Sequence, residues 1–111
     1  MNKDLLEKIE QVSKVNTTQN IFTIAMEELA ELVQVICKLK RWNGYDITLR
    51  KELSQIFEDL KEELSDVYLV LEQIKIITDI NDYEIERRIS GKIRRTNEKI
   101  KRTFEKVGVS N

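Results

Sequence analysis

Histidine and proline are absent from this chain of 111 residues, cysteine occurs once and glycine three times. Each shortage excludes something. Without histidine there is no imidazole metal site, no Ser-His or Cys-His nucleophile pair and no histidine general base. Ligand and acid/base chemistry then falls to Asp, Glu, Lys, Tyr or bound water. The lone Cys37 excludes an internal disulfide and suits a reducing compartment. With no proline, and only Gly44, Gly91 and Gly108, little punctuates the chain. No apolar run approaches the ~20 residues of a membrane span. The stretch from Met1 to Glu10 is charged throughout, unlike a signal peptide. The expectation is a cytoplasmic protein outside the membrane.

What is present is charge and helix formers. Charged residues make up 35% of the chain, and Leu, Ile, Glu and Lys dominate, which is a helical composition. The length fits one domain over 1–111. A domain this small buries a modest core and often adds metal or self-association. The formal net charge of −1 hides an asymmetry. Residues 1–86 hold 18 acids against 10 bases, and residues 87–111 hold 2 acids against 9 bases. One part can attract cations and the other can attract phosphate.

Periodicity predicts four helices and no strands, an all-α, four-helix-bundle-like fold. The first runs from about Lys3 to Val15, with Leu5, Leu6, Ile9 and Val12 on one face. Asn16, Thr17 and Thr18 offer caps for the second, from about Gln19 to Arg41. Its apolar positions are Ile21, Ile24, Ala25, Leu29, Leu32, Val35, Ile36 and Leu39, and Cys37 reads as core among them. Trp42-Asn43-Gly44-Tyr45-Asp46-Ile47 is a loop, and Thr48 can cap the third helix. That helix carries a stripe from Leu53 to Ile74 and ends within Ile76 to Ile80. Its segment Val67-Tyr68-Leu69-Val70-Leu71 is apolar all round, which predicts burial. Asn81 with Glu84 resembles a capping box for the fourth helix, which runs to about Glu105 with sparse apolar positions.

Two short segments carry chemistry: Glu27-Glu28-Leu29-Ala30-Glu31 and Glu62-Glu63-Leu64-Ser65-Asp66. Glu28 and Glu31 are three apart and share a helix face; Glu63 and Asp66 repeat that spacing. The row Ile24, Glu28, Glu31, Val35 is apolar, acid, acid, apolar, and Glu63 interrupts the row Ile56, Leu60, Val67. Any single Glu-x-x-Glu in a charged helix reads as a solvated face. Two such pairs, each interrupting an apolar row, point to acids aimed at other helices. A buried carboxylate is costly unless paired, protonated or bound to metal. Four converging ones call for a divalent cation, and an all-oxygen set favours Mg²⁺, with Mn²⁺ an option.

At these residues the chain resembles the MazG-like, all-α nucleoside triphosphate pyrophosphatase family. That family's pattern is Glu-Glu-x-x-Glu on one helix, Glu-x-x-Asp on the next and a Lys/Arg motif on a later one. The counterparts here are Glu27 to Glu31, Glu63 to Asp66 and, more loosely, Lys92-Ile93-Arg94-Arg95-Thr96-Asn97. The resemblance spans roughly residues 17–102. It implies that Glu28, Glu31, Glu63 and Asp66 ligate Mg²⁺ and that Glu27 is an accessory catalytic carboxylate orienting a metal-bound water or a second ion. It implies that Lys92 and Arg95, with Asn97, contact the triphosphate. It also implies a homodimer or homotetramer with sites near subunit interfaces. The reaction implied is hydrolysis of a (deoxy)nucleoside triphosphate to monophosphate and pyrophosphate. The residues agree with such a path, which needs no covalent nucleophile. In the loop, Trp42 or Tyr45 could stack on a base. The main rival is a non-enzymatic helical bundle or coiled-coil protein that binds a partner through the third helix. A nucleic-acid binder using the basic fourth helix ranks lower, because the acidic remainder repels a duplex.

Overall fold

The computed structural model describes residues 1–42 and 49–108. Among these residues there are four helices and no strand: α1 Lys3–Lys14, α2 Thr18–Arg41, α3 Leu49–Thr78 and α4 Asp82–Lys106. The expected positions of Gly44, Tyr45 and the Thr48 cap lie outside the described residues.

Local chemistry explains the boundaries. Asn2 caps α1, its Oδ1 accepting from the Leu5 amide at 2.8 Å. Thr17 caps α2 through Oγ1, which accepts from the Asn20 amide at 3.1 Å. Asn81 caps α4, accepting from the Glu84 amide at 2.9 Å. Each cap satisfies an amide that the first turn leaves without an intrahelical partner. α3 stops where Asp79 adopts φ 55°, a left-handed conformation that ends a helix. Aspartate tolerates it better than most residues.

The chain divides into two compact units, Met1–Thr78 and a second beginning at Asp79. In the first, α2 packs along α3, and α1 also packs on α3. Its core is Ile9, Ile21, Ala25, Val35, Val67 and Val70, with Ile21 fully buried. Among the described residues, the polar side chains buried with them are Ser13 and Gln73. Ser13 Oγ donates to the Ile9 carbonyl at 2.7 Å, a bond within α1 that makes its burial tolerable. The second unit is built on α4, and no residue of that helix is buried.

The core is narrower than the periodicity predicts. Of the all-apolar segment in α3, Val67 and Val70 are buried, while Tyr68, Leu69 and Leu71 are exposed. On α2, Leu29 and Ile36 are exposed and Cys37 is not core. On α1, Ile9 is buried but Leu5 and Val12 are exposed. The reason is common to all: a helix touching one or two neighbours buries only the stripe facing them.

Candidate metal centre on the α2–α3 pair

The acids sit where α2 and α3 run side by side in opposite directions. Glu28 and Glu31 on α2 meet Glu63 and Asp66 on α3. Lys38 and Trp42, later on α2, share a cavity with Gln55 and Asp59, earlier on α3. This order is that of an antiparallel pair. The three-residue spacing within each acid pair puts two carboxylates on the facing side of each helix.

One carboxylate oxygen from each of Glu28, Glu31, Glu63 and Asp66 lies within 4.8 Å of the others. Glu31 is exposed and the other three are half-buried. Glu28 Oε2 and Glu63 Oε2 are shielded from solvent, and neither has a hydrogen-bond partner. An acceptor without a donor at a shielded position is unstable unless a proton or cation supplies the missing charge. Burial, and then the charges of Asp66 and Glu31, push the Glu28 carboxyl up to about 7. Burial and the charges of Glu31, Asp66 and Asp59 raise the Glu63 carboxyl as well. Glu28 and Glu63 thus resist ionising beside their neighbours, and among the described residues the four acids are the group that could hold a metal ion. Carboxylate-only donors on two helices fit a hard divalent cation such as Mg²⁺ or Mn²⁺.

The other expected site residues fall differently. Glu27 is exposed and lies about 100° round the helix from Glu28, outside the four-acid set. Trp42, the C-cap of α2, is half-buried, and its Nε1 is shielded without an acceptor. It lines a cavity of about 540 Å³ together with Lys38, Arg41, Gln55, Ile56 and Asp59. Lys92, Arg95 and Asn97 belong to the second unit and are exposed on α4. Lys92 and Arg95 line one groove with Tyr83, Arg87 and Arg88. Asn97 lines another with Ser90 and Ile93, about 140° round the helix from Lys92.

The residue that sequence reasoning missed is Asp59. It is half-buried, its charge acts on Glu63, and its Oδ1 accepts from Gln55 Nε2 at 2.9 Å. It also lines the Trp42 cavity, so cavity and acid cluster share this side chain's surroundings. The signal was available: Asp59, Glu63 and Asp66 are spaced i, i+4, i+7, one continuous face of α3.

Comparison with models of known protein families, with curated proteins and with solved structures returns no match.

Proposed function

We propose that the α2–α3 pair holds a divalent cation, Mg²⁺ in the first place, and that the protein hydrolyses nucleoside triphosphates to monophosphate and pyrophosphate. The observation that carries the reading is the shielded, partnerless Oε2 atoms of Glu28 and Glu63 inside a four-carboxylate set spanning 4.8 Å. The resemblance of Glu27 to Glu31 and Glu63 to Asp66 to the MazG-like motifs supplies the reaction class. A solvated acidic face would leave these oxygens in water.

Glu28, Glu31, Glu63 and Asp66 would hold the cation. A bound divalent cation supplies charge neutralisation for the phosphates and makes water more acidic. The chain's own residues do the rest. Asp59, beside Glu63, takes the proton of the attacking water through its Oδ2, since Oδ1 is engaged by Gln55. Asp59 is favoured over Glu27 for this role because it is half-buried with its charge acting on Glu63, whereas Glu27 is exposed. Trp42 offers an aromatic face to the base in the neighbouring cavity. For Lys92 and Arg95 of the second unit, contact with the triphosphate is only what the resemblance implies. The reading includes a cytoplasmic setting and self-association as a dimer or dimer of dimers. An interaction module built on the same helices is the second reading, favoured by the exposed apolar side chains of α3.

A screen of ribo- and deoxyribonucleoside triphosphates with Mg²⁺ tests the reaction. Pyrophosphate and monophosphate are the expected products for at least one substrate. Orthophosphate and diphosphate as direct products would refute the cleavage site. No turnover with any nucleotide, with Mg²⁺ or Mn²⁺, would leave the interaction reading standing.

A further inference from the structure

α4 carries more charge than a triphosphate contact would use. From Arg87 to Lys106 it sets nine cations against two acids, Glu98 and Glu105. Among the described residues the salt bridges lie on α1 and α3, and none engages a cation of this helix. The same helix presents an apolar row to solvent. Ile89, Ile93, Ile100, Phe104 and Val107 are between 41% and 65% accessible. At 100° per residue they fall within about 60° of one another round the helix.

Cations border the row on both sides. Lys92 and Lys99 stand about 60–80° beyond one edge, and Tyr83, Lys101 and Arg94 stand about 60–80° beyond the other. Thr96 and Thr103 lie next to the row, and each hydroxyl donates to the carbonyl four residues back at 3.0 Å. Neither hydroxyl therefore depends on water for a partner. The acids on this face, Asp82 and Glu86, lie before the row begins. An apolar stripe between two cationic borders, on a helix that is polar on average, is the pattern of a helix lying in a lipid headgroup layer.

We infer that this face of α4 docks on the surface of an anionic lipid bilayer, with the row in the outer acyl layer and the bordering cations at headgroup level. No helix of the described residues is long and apolar enough to cross a membrane, so the contact is peripheral. Charge complementarity selects the partner. A bilayer surface places negative charge in one plane on both sides of a helix lying in it, which matches the two borders. Lysine and tyrosine, the residues nearest the row, have apolar bodies and polar tips that reach from an apolar layer to water. A nucleic-acid backbone would take the cations and leave the five large apolar side chains in water. The acidic part of the chain opposes binding, but at physiological salt its repulsion is screened beyond about 8 Å, and apolar contact is not screened.

The inference goes beyond the pyrophosphatase reading and does not depend on it, because binding is read without nucleotide or divalent cation. Co-sedimentation of the full chain with vesicles tests it. The protein is expected to pellet with phosphatidylcholine vesicles containing about 30% phosphatidylserine and to stay in solution with phosphatidylcholine alone. Raising salt from about 0.1 M to about 1 M, which shortens the screening length from about 10 Å to about 3 Å, should weaken binding at least tenfold. Ile93→Glu with Ile100→Glu should abolish binding, with helical circular dichroism retained because both sites are exposed. Should that pair fail to fold, Lys99→Gln with Lys101→Gln should weaken binding on the order of 30-fold, about fivefold per cation. A wild type that ignores anionic vesicles would overturn the inference, as would equal binding to neutral ones or binding indifferent to both variants. Retention on an oligonucleotide by the wild type and the isoleucine variant alike, without vesicle binding, would overturn it in favour of nucleic acid. Conversion of an oligomer to a monomer by the isoleucine variant, again without vesicle binding, would overturn it by giving the row to a second copy of the chain.

Discussion

The α2–α3 pair and α4 are made from similar residues and do opposite things with them. All three are long helices rich in Ile, Glu and Lys. α2 and α3 bury Ile21, Ala25, Val35, Val67 and Val70 against their neighbours, while α4 buries nothing. The pair places carboxylates on its packed surface, two of which, Glu28 and Glu63, resist ionising. α4 keeps its charges in water, where they cost little. The contrast shows what packing is needed for: converging acids must be held together by a core, whereas cations spread over a solvated helix need none.

The largest effect expected concerns the cores themselves. Ile21→Ala, at a fully buried position, should cost about 2–5 kcal/mol in chemical denaturation. Ile93→Ala, chemically the same change on the exposed α4 row, should stay within about 0.5 kcal/mol. Equal losses would show that α4's row is covered in the assembled protein and would erase the contrast.

Next comes chemistry. Asp66→Asn keeps the side chain's size and removes one of the four charges. Steady-state assays should show turnover reduced about 10²–10³-fold, the scale of losing one preorganised electrostatic contact. Full activity would place the reaction outside this cluster.

The titration of Glu28 gives a smaller, signed effect on the metal-free protein. Its carboxyl moves from an ordinary 4.5 up to about 7 on folding. The folded state therefore holds its proton more tightly than the unfolded chain. Stability is fully present below about pH 4.5 and is lost as pH rises through about 7. Melting without divalent cation should thus be higher at pH 5 than at pH 8. With saturating Mg²⁺, which binds the deprotonated acids, this difference should shrink or reverse. A flat metal-free profile would mean that the acids are solvated.

A cap gives the smallest effect. Asn81→Ala removes the acceptor for the Glu84 amide and should cost α4 about 1 kcal/mol, read from amide exchange along that helix. The exchange of α2 and α3 should not change. A matching loss there would show that the two units unfold together.

The helices were legible because their signals are local. Thr17 and Asn81 announce caps in the sequence and make them in the structure. The span of α3 to Thr78 follows from an apolar stripe at helical spacing, and Asp79 ends the helix in a left-handed conformation. The convergence of Glu28, Glu31, Glu63 and Asp66 was legible as well, since two i, i+3 pairs interrupt apolar rows. Exposure was not. Cys37, Tyr68 and Leu71 sit in apolar surroundings in sequence, yet which stripe is buried depends on how many neighbours a helix has. Periodicity carries no such count. Asp59 was overlooked because Gln55 and Ile56 before it give no acidic pair, although its spacing to Glu63 marks the same face.

The central claim is that the four acids are a cation site, and melting Glu63→Gln beside the wild type, each with and without Mg²⁺, tests it most directly. Glutamine keeps size and hydrogen bonding and removes a charge that burial and Glu31 already disfavour. The metal-free variant should be as stable as the wild type or more so. Mg²⁺ at a hundredfold excess over Kd should stabilise the wild type by about 2.7 kcal/mol, a rise on the order of 10 °C. The variant should lose most of that rise. An equal Mg²⁺ response in both proteins, or none in the wild type, would contradict the account.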